Sequence, residues 1–242
     1  MKLSIKMKKV FLLLLSTFII TGNVFAAPTV KDKRNVKGFT RISYAVPGNL
    51  TVRIGTEFSV ILEGEEDDVE SVITEVMGKR LIIRRKTFRF RFSDLFERVD
   101  VFITLPELED LTVSGSGGAE IVDDIRDIDD LSFSVSGSGK ITTAGIEADN
   151  LDCNISGSGN ILIRGTGSAD RGDISISGSG NYTGRDFEID HLGVNISGSG
   201  SCVCKAGDSL TARISGSGNV TYRGNPRIDS RSSGSGRIRS AD

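Results

Sequence analysis

Residues 155–160 read Ile155-Ser156-Gly157-Ser158-Gly159-Asn160, and the same six residues return at 176–181 and 214–219. The inner tetrapeptide Ser-Gly-Ser-Gly is more frequent still, beginning at Ser114, Ser136, Ser156, Ser177, Ser197, Ser215 and Ser233. Its spacing is 22, 20, 21, 20, 18 and 18 residues, which is the signature of stacked structural repeats. Just before the tetrapeptide stand Val113, Val135, Ile155, Ile176, Ile196 and Ile214. Two residues earlier stand Leu111, Phe133, Cys153, Ile174, Val194 and Ala212. Apolar residues at every second position predict a strand with one buried face. The alternation resumes after the tetrapeptide, at Ile161/Ile163 and Cys202/Cys204 for example.

Each repeat therefore reads as strand, glycine-rich corner, strand and variable return. One such coil cannot bury its apolar face alone, but stacked coils share a continuous core. The fold class expected is all-β: a single-stranded β-helix, or β-solenoid, of about seven Ser-Gly-Ser-Gly coils. Stacking at about 4.8 Å per coil gives a rod of roughly 34 Å. Ser116, Ser138, Ser158, Ser179, Ser199 and Ser217 should align in one column, and Asn160, Asn181 and Asn219 in another, as structural ladders. Leucine-rich and calcium-binding nonapeptide patterns are absent, and a flexible Gly/Ser linker does not carry alternating Val and Ile on both sides.

The recurrent Ile-Ser-Gly-Ser-Gly-Asn resembles the head GIN domain family of auto-transporter adhesins, found in exported proteins of Bacteroidetes-type bacteria. The resemblance covers most of the chain and implies an all-β, helix-like fold with an adhesive role. Nothing in this sequence resembles a translocator barrel, so self-transport is not carried over.

The start of the chain has a different character. Lys2, Lys6, Lys8 and Lys9 precede an apolar run over residues 10–20, and Val24-Phe25-Ala26 offers small residues for cleavage. Residues 1–26 are thus expected to be a signal peptide, residues 27–110 a β-rich cap or opening coils, and residues 111–242 the repeats. Removing the leader takes four lysines and no acid, moving the formal charge from −2 to −6. A mildly acidic exported chain has no electrostatic reason to seek nucleic acid. No later apolar run reaches membrane-spanning length. The expected location is periplasmic, cell-surface or secreted. Within the cap region, strands are expected at 39–46, 50–54, 58–62, 81–85 and 99–105. A short helix is expected over 67–77, where Val69, Val72, Ile73 and Val76 fall on one helical face and Gly78 suits the end.

Chemistry has few footholds. Cys153, Cys202 and Cys204 occupy slots that other repeats fill with Ile, Val or Tyr, so they read as buried small hydrophobes. In the stretch from Arg84 to Phe92, Arg89 and Arg91 share one strand face and Phe88, Phe90 and Phe92 the other. Arg85, Arg89 and Arg91 are therefore candidates for binding an anionic glycan or lipid headgroup, against the alternative of a half-buried strand with solvated arginines. Asp123, Asp124, Asp127, Asp129 and Asp130 match no calcium loop. His191 is the only histidine, which leaves no triad or metal–histidine set. No cofactor is implied. The expected function is a non-catalytic interaction or adhesion module for glycan, envelope or protein surfaces, with oligomers allowed by exposed coil ends. The alternatives are a polysaccharide-active β-helix enzyme, or a structural or lipid-binding envelope protein.

Overall fold

The structure, a computed structural model, describes residues 29–86 and 98–241. The leader, and Arg89 and Arg91 with their phenylalanines, lie outside the described residues. Strands β1 (Thr29–Arg34), β2 (Arg41–Ala45), β3 (Asn49–Ile54) and β4 (Ser59–Glu65) lead into a helix, α1 (Glu66–Ser71). Strands β5 (Val72–Met77), β6 (Arg80–Arg85) and β7 (Asp100–Leu105) follow. The repeats then contribute β8 (Asp110–Gly115), β9 (Gly118–Ile121), β10 (Ile125–Gly137), β11 (Lys140–Thr143), β12 (Ile146–Gly157), β13 (Asn160–Ile163) and β14 (Gly167–Gly178). The last five are β15 (Asn181–Gly198), β16 (Ser201–Gly216), β17 (Asn219–Arg223), β18 (Arg227–Gly234) and β19 (Arg237–Ser240). All belong to one hydrogen-bonded sheet wound as an all-β solenoid of about seven turns.

Pairing within the repeats is parallel and in register. Val135 pairs with Ile155, Ile155 with Ile176, Ile176 with Ile196, and Ile196 with Ile214. These side chains all point inward and are buried, as are Phe133, Cys153, Ile174 and Val194 in the adjoining column. Each such burial is worth about 1.5–3 kcal/mol, and no single coil could collect it alone.

The two glycines of each corner serve different purposes. The first, Gly157 for instance, has φ +113°, a conformation that a side chain penalises. The second lets the coils approach: a β-carbon on Gly218 would lie 2.6 Å from Ile196 Cγ2 and 2.8 Å from the Gly200 carbonyl oxygen. Backbone bonds tie successive corners together, with Ser158 N donating to Gly137 O at 2.8 Å and Asn160 N to Gly139 O at 3.0 Å.

The N-terminal strands do not stack in chain order. β2 lies between β6 and β8, and β3 between β7 and β9, all in parallel. Beyond them the pairing turns antiparallel, β5 on β6, and β4 on β7 with β1 on β4. Such reversal covers the edge that a parallel stack would otherwise expose. Here the helix expectation needs correction. The helix ends at Ser71, and Val72–Met77 form a strand whose hairpin with β6 turns at Gly78, φ +61°. Val72, Ile73 and Thr74 are β-branched and prefer a strand, and the edge of β6 supplies a partner. The apolar positions 69, 72, 73 and 76 fit a helical stripe, but they also leave Val72 and Val76 on one strand face.

Candidate functional site

The outward-facing residues of the repeat form the most extended surface feature. Between the inward columns stand Ser134, Asn154, Ser175, Asn195, Arg213 and Arg231, paired in register from β10 to β18. The first serine of each corner, from Ser136 to Ser233, forms a second outward column two residues on. Together they line a shallow trough of about 730 Å³ that crosses six strands. No carboxylate lines it. Its floor is backbone and small side chains, because Ser is the commonest residue at these positions and the intervening Val and Ile point into the core.

Charge along this face is uneven. Two residues before the trough column, and on the same outward face, Asp152 pairs with Asp173 and Asp173 with Gly193. The Asp152 carboxyl is pushed above the usual carboxylate range by burial and by its neighbours Asp173 and Asp130. At the other end, Arg213 stands in register with Arg231, and the aspartate row continues through Gly193 and Thr211 to Asp229. Arg41, Arg80, Arg126 and Arg164 each hold a carboxylate, whereas Arg213 and Arg231 form no ion pair among the described residues.

A second, polar cleft of about 730 Å³ lies where the N-terminal coils meet the repeats. Glu107, Asp127, Asp129, Asp130 and Asp152 line it, with Glu109 and Asp110 held by Arg41 at 2.9 Å and Arg80 at 2.6 Å. The Arg41 bond is the main reason that the Glu109 carboxyl lies below its ordinary range, with the Lys79 bond adding to it. Other members of the acidic loop serve the backbone. Asp123 accepts from Ile54 N at 3.1 Å, and Asp124 from Gly145 N at 2.8 Å and Arg126 Nη2 at 2.8 Å. The Gly145 amide first, and Arg126 second, hold the Asp124 carboxyl low. Among the described residues no His, Cys, Asp and Glu group is arranged to hold a metal ion.

Of the basic stretch, only its start is described. Arg85 Nη2 bonds Asp68 Oδ1 at 2.7 Å, and both side chains are largely buried. Arg84 bonds Glu75 at 3.1 Å, and Lys86 Nζ donates to Glu70 O at 2.9 Å. Arg85 thus fastens α1 to β6. Arg89 and Arg91 lie outside the described residues.

The corner serines Ser116, Ser138, Ser158, Ser179, Ser199 and Ser217 follow the repeat, and among the described residues their hydroxyls form no bonds to one another. The backbone makes the rungs instead, as in Ser179 N to Gly157 O at 2.8 Å and Ser199 N to Gly178 O at 2.8 Å. One asparagine rung exists, from Asn181 Nδ2 to Asn160 Oδ1 at 2.8 Å. Asn219 is separated from Asn181 by Ser201, whose short side chain does not continue the series. The three cysteines are buried and free, and His191 is an exposed residue whose Nδ1 lies 3.1 Å from Ser209 Oγ. The sequence alone does not single out the trough, because its residues are the polar half of an alternating strand. Its one available signal is Arg213 and Arg231 closing a column otherwise filled by Ser and Asn.

Four-fifths or more of this chain is shared with solved structures. A Bacteroides fragilis protein described as a "putative adhesin" superposes with TM-score 0.78 at 21% identity, covering 88% of this chain and 97% of that one. A Parabacteroides distasonis protein described as a "putative lipid binding protein" gives TM-score 0.71 at 23% identity, with 90% and 98% covered. A "putative adhesin" from Parabacteroides merdae gives 0.72 at 19%, again with 90% and 98% covered. These likenesses establish the fold. No curated protein matches the sequence. The family model described as "Putative auto-transporter adhesin, head GIN domain" matches residues 38–226. The chain, by that match and by its repeated corners, belongs to the head GIN domain family.

Proposed function

We propose that this protein is an exported, non-catalytic adhesion module that holds extended carbohydrate on a cell or envelope surface through the serine-lined trough. The trough carries the reading. It is long, shallow and open, crosses six strands, and sets serine and asparagine side chains along a predominantly apolar lining that has no carboxylate. Hydrolysis of a glycosidic bond ordinarily needs two carboxyl groups flanking the bond, and this surface offers none among its lining residues. Family membership supports adhesion, and the leader-like first 26 residues support export. Among the described residues no helix is long and apolar enough to cross a membrane.

The test is retention of the purified protein on a panel of immobilised polysaccharides, with the eluate assayed for released sugar. Wild type should be retained on at least one member without product. Ser175→Trp, which fills the middle of the trough from its solvent side, should abolish retention while leaving the circular dichroism spectrum unchanged. Retention unaffected by Ser175→Trp, or release of sugar, would overturn the reading.

A further inference from the structure

The trough has a period as well as a shape. Ser134, Asn154, Ser175 and Asn195 alternate hydroxyl and amide from one coil to the next, each paired in register with its neighbour. The chemical repeat therefore spans two coils, roughly 9.6 Å at about 4.8 Å per coil. An extended β-1,4-linked glycan has matching symmetry. Each pyranose advances the chain by nearly one coil spacing, and successive sugars are flipped, so that the same edge returns at every second residue. An α-linked helical glycan, or a compact branched one, offers no such register.

The column then ends in charge. Arg213 and Arg231 stand side by side on β16 and β18 and form no ion pair among the described residues, although Asp229 lies two residues before Arg231 on the same face. Like charges directly opposite one another disfavour the folded sheet, and a bound anion would relieve that cost. Arginine is suited to the task because its planar donors take a carboxylate or sulfate in paired hydrogen bonds. In the neighbouring row of the same face, Asp152, Asp173 and Asp229 oppose a ligand charged along its whole length.

Resting on the adhesion reading above, we infer that the trough takes a linear β-1,4-linked glycan, mostly uncharged, whose acidic sugar seats against Arg213 and Arg231. Serine and asparagine columns read the neutral sugars in alternation, and the arginine pair fixes the position of the acidic unit.

The experiment is calorimetric titration of the full chain with two probes, cellohexaose and cellohexaose bearing one terminal glucuronate. The acidic probe should bind at least about tenfold more tightly, a difference of about 1.4 kcal/mol. Arg213→Ser/Arg231→Ser should remove that advantage, so that the two probes bind with equal affinity. Asn154→Ala/Asn195→Ala should weaken both probes. Equal binding of both probes by wild type would overturn the acidic-sugar assignment but leave the adhesion reading intact. Binding of neither probe, alongside retention on an unrelated polysaccharide, would overturn the β-1,4 assignment alone. Absence of retention on every polysaccharide removes both. A third arm uses vesicles of phosphatidylglycerol and phosphatidylcholine. Vesicle binding that the arginine substitutions abolish, without any glycan binding, would assign the pair to a membrane surface and overturn the inference.

Discussion

A β-carbon added to Gly157 would lie 2.6 Å from the carbonyl oxygen of Gly137 in the preceding coil. That oxygen is the acceptor of the Ser158 amide, so the corner cannot move away without losing its rung. Gly157→Ala should therefore destabilise the fold by about 2–4 kcal/mol, combining steric displacement with strain at positive φ. Ser156→Ala, one residue earlier and exposed, should stay within about 0.5 kcal/mol of wild type. Urea denaturation of both variants checks the contrast.

Tyr182 is wholly buried, and its hydroxyl has no hydrogen-bond partner. Its phenolic oxygen would lie 2.6 Å from a β-carbon on Gly184, so the glycine makes room for the ring. Burial first, and then the neighbouring thiols of Cys153, Cys202 and Cys204, push its pKa well above the ordinary value. A desolvated, unpartnered hydroxyl costs stability, so Tyr182→Phe should raise it by about 1 kcal/mol. A lower urea midpoint for this variant would show that the hydroxyl is satisfied after all.

The thiols themselves should be silent. Burial pushes the Cys153 thiol far above its ordinary pKa, and Cys202 is likewise raised, chiefly by its contact with Cys204 and by burial. Thiolate is the reactive species, so native protein should react with no equivalents of Ellman's reagent and guanidinium-unfolded protein with three. Rapid labelling of the native state would contradict the packing described for the core.

Two aspartates should respond to acid with opposite signs. Asp124 has a lowered folded pKa, so its contribution is present above the ordinary carboxylate range and lost as pH falls through that lowered value. Asp152 has a raised folded pKa, so its penalty is absent in acid and grows as pH rises through the ordinary range to the folded value. Asp152→Asn should thus stabilise the protein at neutral pH and have no effect in strong acid. Asp124→Asn should destabilise at neutral pH, with the difference again vanishing in acid. Urea midpoints measured across pH 2–8 separate the two (a range set by ordinary carboxylate titration).

The repeat was legible because its two signals agree: period-two apolar residues, and glycines at one fixed place in each coil. Ile155, Ile176 and Ile214 lie in the core that their positions imply. The N-terminal stacking was not legible, since nothing local tells β2 to lie between β6 and β8. Residues 72–77 show the limit of periodicity, where tertiary pairing with β6 overrode a pattern that also fits a helix. Arg85 shows another limit. Its face in the strand was readable, but its bond to Asp68, seventeen residues away, was not. The trough escaped notice because Ser134 and Asn154 look like ordinary solvent-facing strand residues until coils are stacked in register.

Backbone chemical shifts of isotopically labelled protein, titrated with terminally acidic cellohexaose, test the central claim most directly. The amides that move should run in one line through Ser134, Asn154, Ser175, Asn195, Arg213 and Arg231, with the largest changes at the two arginines. Shifts confined to the acidic cleft around Asp127–Asp130, or no shifts where the protein is retained on polysaccharide, would contradict it.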